Sequence, residues 1–257
     1  MTNIDAKAVA SLRARTGVSM MQCKNALEEA NGDEEMAIDI LRTKGASAAA
    51  KKADREQTEG LVFTAESDGK AAMIRLDCET DFVARDDNFK NLGQSIADAL
   101  LSGGEDNAKT VAAELLPAMV QKLGENISLG EVELKESAVA GVYVHSNGKI
   151  GVIVGLSAGT PEIARDVAMH AAAMNPLYVT PAEVSEDDVK REKAIWEEQL
   201  AKEGKPAEIM EKIMVGKEKK FHEDNALISQ EFVKEPGTTV EKFLGEATVT
   251  AYARLAV

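Results

Sequence analysis

The ten residues Asp77-Cys78-Glu79-Thr80-Asp81-Phe82-Val83-Ala84-Arg85-Asp86 set four acids around one aromatic side chain. Carboxylates so spaced could hold magnesium or calcium. The order lacks the ligand spacing of an EF-hand loop, however, and turns that lead into helices commonly carry acids as caps. The stretch lies between an extended run and an apolar helical stripe. A phenylalanine placed there beside Asp81 is better explained as an exposed wedge that enters a partner than as part of a metal site.

A second unusual run is Thr16-Gly17-Val18-Ser19-Met20-Met21, where two methionines begin a helix. Adjacent helical positions cannot both face one core. Two readings stay open: an exposed thioether serving as an adaptable protein contact, or one methionine buried and its neighbour tolerated at the surface.

Covalent chemistry finds little support. The chain contains no G-x-x-x-x-G-K-[ST] phosphate cradle, so direct nucleotide binding is not expected, and no G-x-S-x-G elbow, H-E-x-x-H pair or G-x-G-x-x-G turn. The three histidines, His145, His170 and His222, are scattered, and each alone reads as a structural or surface residue. Cys23 and Cys78 are too few and too far apart for a disulfide framework or thiolate metal site, which points to a reducing compartment. No catalytic residue, cofactor or metal is expected.

Composition narrows the partners. A net charge of -14 repels phosphate backbones and anionic lipid, so neither nucleic acid nor a membrane surface is expected. The denser basic groups, Lys51, Lys52 and Arg55, and Lys217, Lys219 and Lys220, read as solvated helix faces. No signal-like start and no apolar run of about 20 residues occurs, which places the protein in the cytoplasm or, equally, in an organelle as a mature chain.

The elements that must position these residues follow from punctuation. Val9 and Leu12 start one apolar stripe; Gly17 breaks it; Ser19 caps a helix through Cys23, Ala26 and Leu27; Asp33 caps a third carrying Met36, Ile40 and Leu41. Alternation in Leu61, Phe63 and Ala65, a turn at Ser67-Asp68-Gly69-Lys70 and an extended Ala72 to Leu76 predict a hairpin. A helix through Phe89, Leu92, Ile96 and Leu100 should end in a loop at Ser102-Gly103-Gly104, with another helix from Val111 to about Leu123. Val142 to Val144, the turn Ser146-Asn147-Gly148-Lys149, Ile150 to Val154 and a helix opened by Thr160-Pro161 repeat that order, so the two units read as related. From Ser185 to Phe221, Val189, Trp196 and Leu200, then Ile209, Ile213 and Met214, suit two helices folded back at Gly204-Lys205-Pro206, with a seam narrow enough to project from the body. Alternation after Thr248 predicts a strand returning to the second sheet.

The fold class is therefore α+β: a three-helix bundle similar to ubiquitin-associated domains over residues 1–54, core units over 55–140 and over 141–182 with 225–257, and an antiparallel helical hairpin over 183–224.

The run from Leu12 through Arg13, Met20, Met21, Lys24 and Leu27 to Asp33, together with Thr80-Asp81-Phe82-Val83-Ala84, resembles the two signatures of the elongation factor Ts family, and the order of modules fits over nearly the whole chain. The resemblance implies a partner, elongation factor Tu, and an activity, release of GDP from it. It implies that Thr80, Asp81, Phe82 and Val83 form the exchange wedge near the partner's magnesium and phosphate site. It also implies partner contacts from Leu12, Arg13, Met20, Met21 and Lys24, and from Leu123, Gly124, Glu125, His145 and His170 in the core. Many members continue past the last strand into a further helical module, whereas this sequence stops at Val257. Pairing through the helical hairpin occurs in some members, which leaves a homodimer open. Two other classes stay in view: an adaptor or chaperone that binds proteins through the helical bundle without needing Asp81 and Phe82, and a metal-dependent enzyme centred on Asp77, Glu79 and Asp81, for which no nucleophile or base is at hand.

Overall fold

A computed structural model describes residues 4–202 and 207–257. It is an α+β protein, as its sequence predicts. The opening unit holds α1 (Ala6–Thr16), α2 (Met20–Glu29) and α3 (Glu34–Lys52). Each start is fixed by a side chain that accepts an otherwise unpaired helical N–H: Asp5 from Lys7, Ser19 from Gln22 and Asp33 from Met36. Gly17 turns the chain at φ 68°, a conformation that costs a residue with a Cβ. Leu12, Cys23, Ala26, Leu27 and Ala37 close the core between the helices.

β1 (Glu59–Ser67) and β2 (Lys70–Cys78) pair antiparallel around Asp68-Gly69, with Ser67 opposite Lys70. A short α4 (Asp81–Arg85) leads into a long α5 (Asp87–Leu123). The expected loop at Ser102-Gly103-Gly104 is reduced to one residue. Gly104 alone leaves helical geometry (φ 76°, ψ -172°), while the Asn107 amide and the Ser102 hydroxyl both donate to the carbonyl of Ala99 and bridge the break. The second helical stretch thus begins well before Val111. β3 (Ile127–Glu136), which the sequence reading did not include, pairs with β2 and makes β2 the central strand.

The second sheet has the order β4 (Val139–Val144), β5 (Ile150–Leu156) and β6 (Val249–Ala256), with α6 (Pro161–Met174) on one face. α7 (Glu186–Lys202) and α8 (Ala207–Asn225) follow, then a short α9 (Val240–Leu244), and β6 returns beside β5 as predicted. Two apolar layers lie between sheet and helix, one under α5 and one under α6. A third lies between the sheets, where Val62, Ala71 and Met73 meet Ile153, Ala253 and Leu255. β2 is thereby covered on both faces, which accounts for its unbroken apolar run from Ala71 to Ile74.

α7 and α8 pack on each other through the Trp196 ring, edge-on to Phe221 at 5.8 Å between centroids, and a Lys193–Glu218 ion pair of 2.8 Å. The expected turn Gly204-Lys205-Pro206 lies outside the described residues. Of the expected seam residues on α8, Ile213 and Met214 are half-buried but Ile209 is exposed. The hairpin's root is pinned by Tyr178 donating to Asp188, by His222 donating from Nδ1 to the Pro181 carbonyl, and by the Leu177 and Tyr178 amides, which both bond the Asn225 carbonyl.

Candidate functional site, a clamped turn with an exposed aromatic

The chain leaves β2 at Cys78 and enters α4 through Glu79 and Thr80. Thr80 is the N-cap, its hydroxyl oxygen accepting from the Val83 amide at 3.4 Å. Val83 and Ala84 are buried against the core that also holds Phe89 and Leu92. Successive helical positions point about 100° apart, so anchoring these two residues turns the preceding one outward. Phe82 is 80% exposed, the most exposed of the large apolar side chains among the described residues. Asp81 is half-exposed and its carboxylate meets the Arg85 guanidinium at 2.9 Å.

Each acid of the run has its own partner. Asp77 pairs with Arg75 at 2.9 Å, and Asp86 caps α5 by accepting from the Asn88 amide at 2.7 Å. Glu79 accepts from the Asn126 amide at 2.6 Å and faces Arg55 at 3.3 Å, and those two contacts, the amide first, hold its carboxyl below the usual range. The carboxylates therefore diverge. Among the described residues no group of three or more His, Cys, Asp or Glu side chains could hold a metal ion. Burial pushes the Cys78 thiol up to about 12, with Glu125 adding to the effect, which removes it as a nucleophile.

Behind the turn stands Glu125. One carboxylate oxygen accepts from the amides of Thr80 at 3.0 Å and Glu79 at 3.2 Å, and the other accepts from the Thr80 hydroxyl at 2.6 Å. Its neighbour Asn126 is buried, and its side-chain Nδ2 donates to the carbonyls of Ala53 and Arg55 just beyond α3. Lys52 donates to the carbonyl of Gly124, which closes α5 in left-handed geometry at φ 82°. The basic group at Lys52 and Arg55 is thus engaged by the fold rather than simply solvated. Lys217 lies over the Trp196 ring at 5.7 Å, and Lys219 pairs with Glu223.

In the opening helices both methionines are exposed, Met20 by 44% and Met21 by 65%, because Ser19 caps α2 and leaves Cys23, not either methionine, as the first buried position. Arg13 and Lys24 are exposed as well, Lys24 facing Glu28 at 3.6 Å. Leu12 is fully buried and holds α1 to its neighbours rather than presenting a contact.

The remaining sequence-derived residues divide. Leu123 is half-buried at the end of α5, and His145 sits exposed at the end of β4 with Nδ1 3.3 Å from the Tyr143 hydroxyl. His170 is fully buried. Its Nδ1 accepts from the Val233 amide at 3.3 Å, so Nε2 donates to Gln230 at 2.9 Å, and desolvation lowers the ring's pKa. The structure brings Glu125 to the Thr80 turn but sets His145 and His170 in the half built on the second sheet. Nothing in the sequence points to Asn126, and Arg55 stands out there only as part of a solvated basic group. They stand 47 and 24 positions from Glu79, and no local spacing rule connects them.

Residues 79–257 match the family model described as Elongation factor TS. A protein named Elongation factor Ts from Francisella tularensis subsp. novicida (strain U112) is 42% identical over 272 aligned positions, spanning 100% of this chain and 93% of the relative. Another of that name, from Marinobacter nauticus (strain ATCC 700491 / DSM 11845 / VT8), is 45% identical over 253 positions, spanning 96% of this chain and 88% of the relative.

Proposed function

The chain belongs to the elongation factor Ts family, and from that premise we propose that it is a guanine-nucleotide exchange factor of translation that binds GDP-bound elongation factor Tu and promotes release of GDP. It acts by binding rather than by covalent turnover, in the cytoplasm, and needs no cofactor of its own. The wedge is Asp81 and Phe82, inserted near the partner's magnesium and phosphate site, with Thr80 and Val83 holding their geometry. The observation that carries this reading is Phe82, left 80% exposed on a turn whose flanking residues are capped, clamped or buried.

Exchange requires only that the factor bind nucleotide-free partner more tightly than GDP-bound partner. By linkage, the factor by which this protein weakens GDP is the factor by which GDP weakens this protein. An aromatic wedge beside an acid suits that task, because displacing ligands of the magnesium unbalances the charge on the phosphates, and GTP then captures the open state. Met20, Met21, Arg13 and Lys24 form the N-terminal contact, with Leu12 supporting it from within. Leu123, Gly124 and His145 are proposed contacts of the core, and His170 acts there only by holding its surroundings. The division into 1–54, 55–140, 141–182 with 225–257, and 183–224, with two related core units, is part of the same reading. The helical hairpin is a proposed self-association surface, since Ile195, Ile209 and Val215 are exposed on it.

Release of a fluorescent GDP analogue from elongation factor Tu tests the proposal. The wild-type chain should accelerate release at catalytic amounts, and Asp81→Ala and Phe82→Ala should lose most of the effect. Binding without acceleration would instead support an adaptor.

A further inference from the structure

We propose that Glu125 is the positioning residue of the wedge: it acts on exchange through the Thr80 turn and not by touching the partner. The inference rests on the exchange reading above. In a helix start of the capping-box kind, the third helical residue is Glu or Gln and reaches back to the amide of the cap. Here that position is Val83, which is buried in the core and whose side chain has no acceptor to offer. The amides of Thr80 and Glu79 would be left without partners. Glu125, 45 residues on in sequence, supplies the missing carboxylate, accepting from both amides and from the Thr80 hydroxyl.

The chain of bonds is directional. The Val83 amide donates to the Thr80 hydroxyl, and that hydroxyl donates to Glu125. A charged terminal acceptor strengthens such a series. Asp81 and Phe82 lie between the two anchored residues, so the bonds to Glu125 set the orientation of the first turn of α4. Both carboxylate oxygens are committed inside the protein, which leaves the group poorly suited to a direct contact.

The anchor is itself fixed. Gly124 before it is held by Lys52, and Asn126 after it bonds Glu79, Ala53 and Arg55. The end of α3, the end of α5 and the wedge turn therefore meet at one junction. Movement of the α5 terminus would be passed to Phe82 through Glu125.

The test compares Glu125→Ala and Glu125→Gln in the wild-type and Phe82→Ala backgrounds. The readouts are release of the fluorescent GDP analogue over a range of factor concentrations, thermal unfolding, and hydrogen exchange of residues 79–86 in the free protein. A displaced wedge should lower the maximal release rate about tenfold in Glu125→Ala while the half-saturating concentration changes less than about twofold. Glu125→Gln, which keeps one acceptor oxygen, should recover part of the loss, and it carries the test should the alanine variant not fold. Exchange of residues 79–86 should quicken in both.

In the Phe82→Ala background either change should alter the maximal rate several-fold less than in the wild-type chain, since the ring being positioned is gone and only Asp81 remains to be held. The proposal is overturned if the half-saturating concentration rises with the maximal rate intact, which marks a direct contact. Full multiplication of the two defects, or unaltered exchange at 79–86, would overturn it as well. If the wild-type chain does not accelerate release, the exchange reading falls, and hydrogen exchange alone then decides whether Glu125 orders the turn.

Discussion

Phe82 and Val83 are neighbours in sequence with opposite surroundings, one in solvent and one in the core beneath α5. Removing the exposed ring should leave the unfolding free energy within about 0.5 kcal/mol of wild type. A side chain desolvated at an interface contributes more, so Phe82→Ala should cost about 2 kcal/mol in the complex, read by titration against nucleotide-free elongation factor Tu. Val83→Ala should do the reverse at first order, costing about 1.5 kcal/mol of stability for two lost methyl groups. The exposure of Phe82 was legible because an aromatic among acids on a strand-to-helix turn has no core to enter. The duty of Glu125 was not, since its partners lie far off in sequence. Resemblance alone makes His170 a contact, whereas its ring is fully buried. Its neutral ring satisfies both nitrogens, and a second ring proton would face the Val233 amide. Its folded pKa lies below the ordinary value of 6.5, so its contribution is complete above that pH and declines as pH falls below it through the folded value. Denaturant midpoints taken from about pH 7.5 to about pH 5.5 should fall more steeply for wild type than for His170→Gln.

At the scale of elements, three helix starts were readable because caps act locally. Ser19, Asp33 and Thr160 each bond an amide within their own first turn. The cap at Ser19 also fixes which face of α2 carries Met20 and Met21. Ser19→Ala should cost about 1 kcal/mol of stability and weaken partner binding beyond that loss, since the first turn bearing both methionines frays; binding at a temperature well below unfolding separates the two effects. What local signals hid is instructive in a different way. Ile127 and Leu129, then Val132 and Leu134, do alternate, but the register shift between Ile74 and Leu76 of β2 divides the pattern on β3 into two short halves. The glycine pair at Gly103-Gly104 resembles a loop signal, yet one residue with φ 76° suffices to redirect α5, and side chains on either side bridge the gap.

At the scale of the whole molecule, the two sheets face each other across a thin layer that no periodicity could reveal, because its contacts join residues some 80 to 190 positions apart and a strand's alternation does not say what covers it. Small residues make the close approach possible. A Cβ on Gly151 would lie 2.5 Å from Val62 Cγ1 and 2.7 Å from Met73 Sδ, both in the facing sheet. The Val62 amide also donates to the Gly148 carbonyl at 2.8 Å, tying the edge of the first sheet to the β4–β5 turn that follows His145. If the wedge on the first half and the proposed contact at His145 on the second must reach one partner together, this layer fixes their separation. Gly151→Val forces either the layer open or Val62 and Met73 off their rotamers, and overpacking of that kind costs about 1–3 kcal/mol. Urea unfolding followed by circular dichroism should show that loss. Exchange activity, measured where the variant is still fully folded, should drop through weaker binding while the environment of Phe82 stays unchanged by nuclear magnetic resonance. Unaltered stability would mean that the sheets part without cost, and the halves would then have to be treated as independently moving bodies.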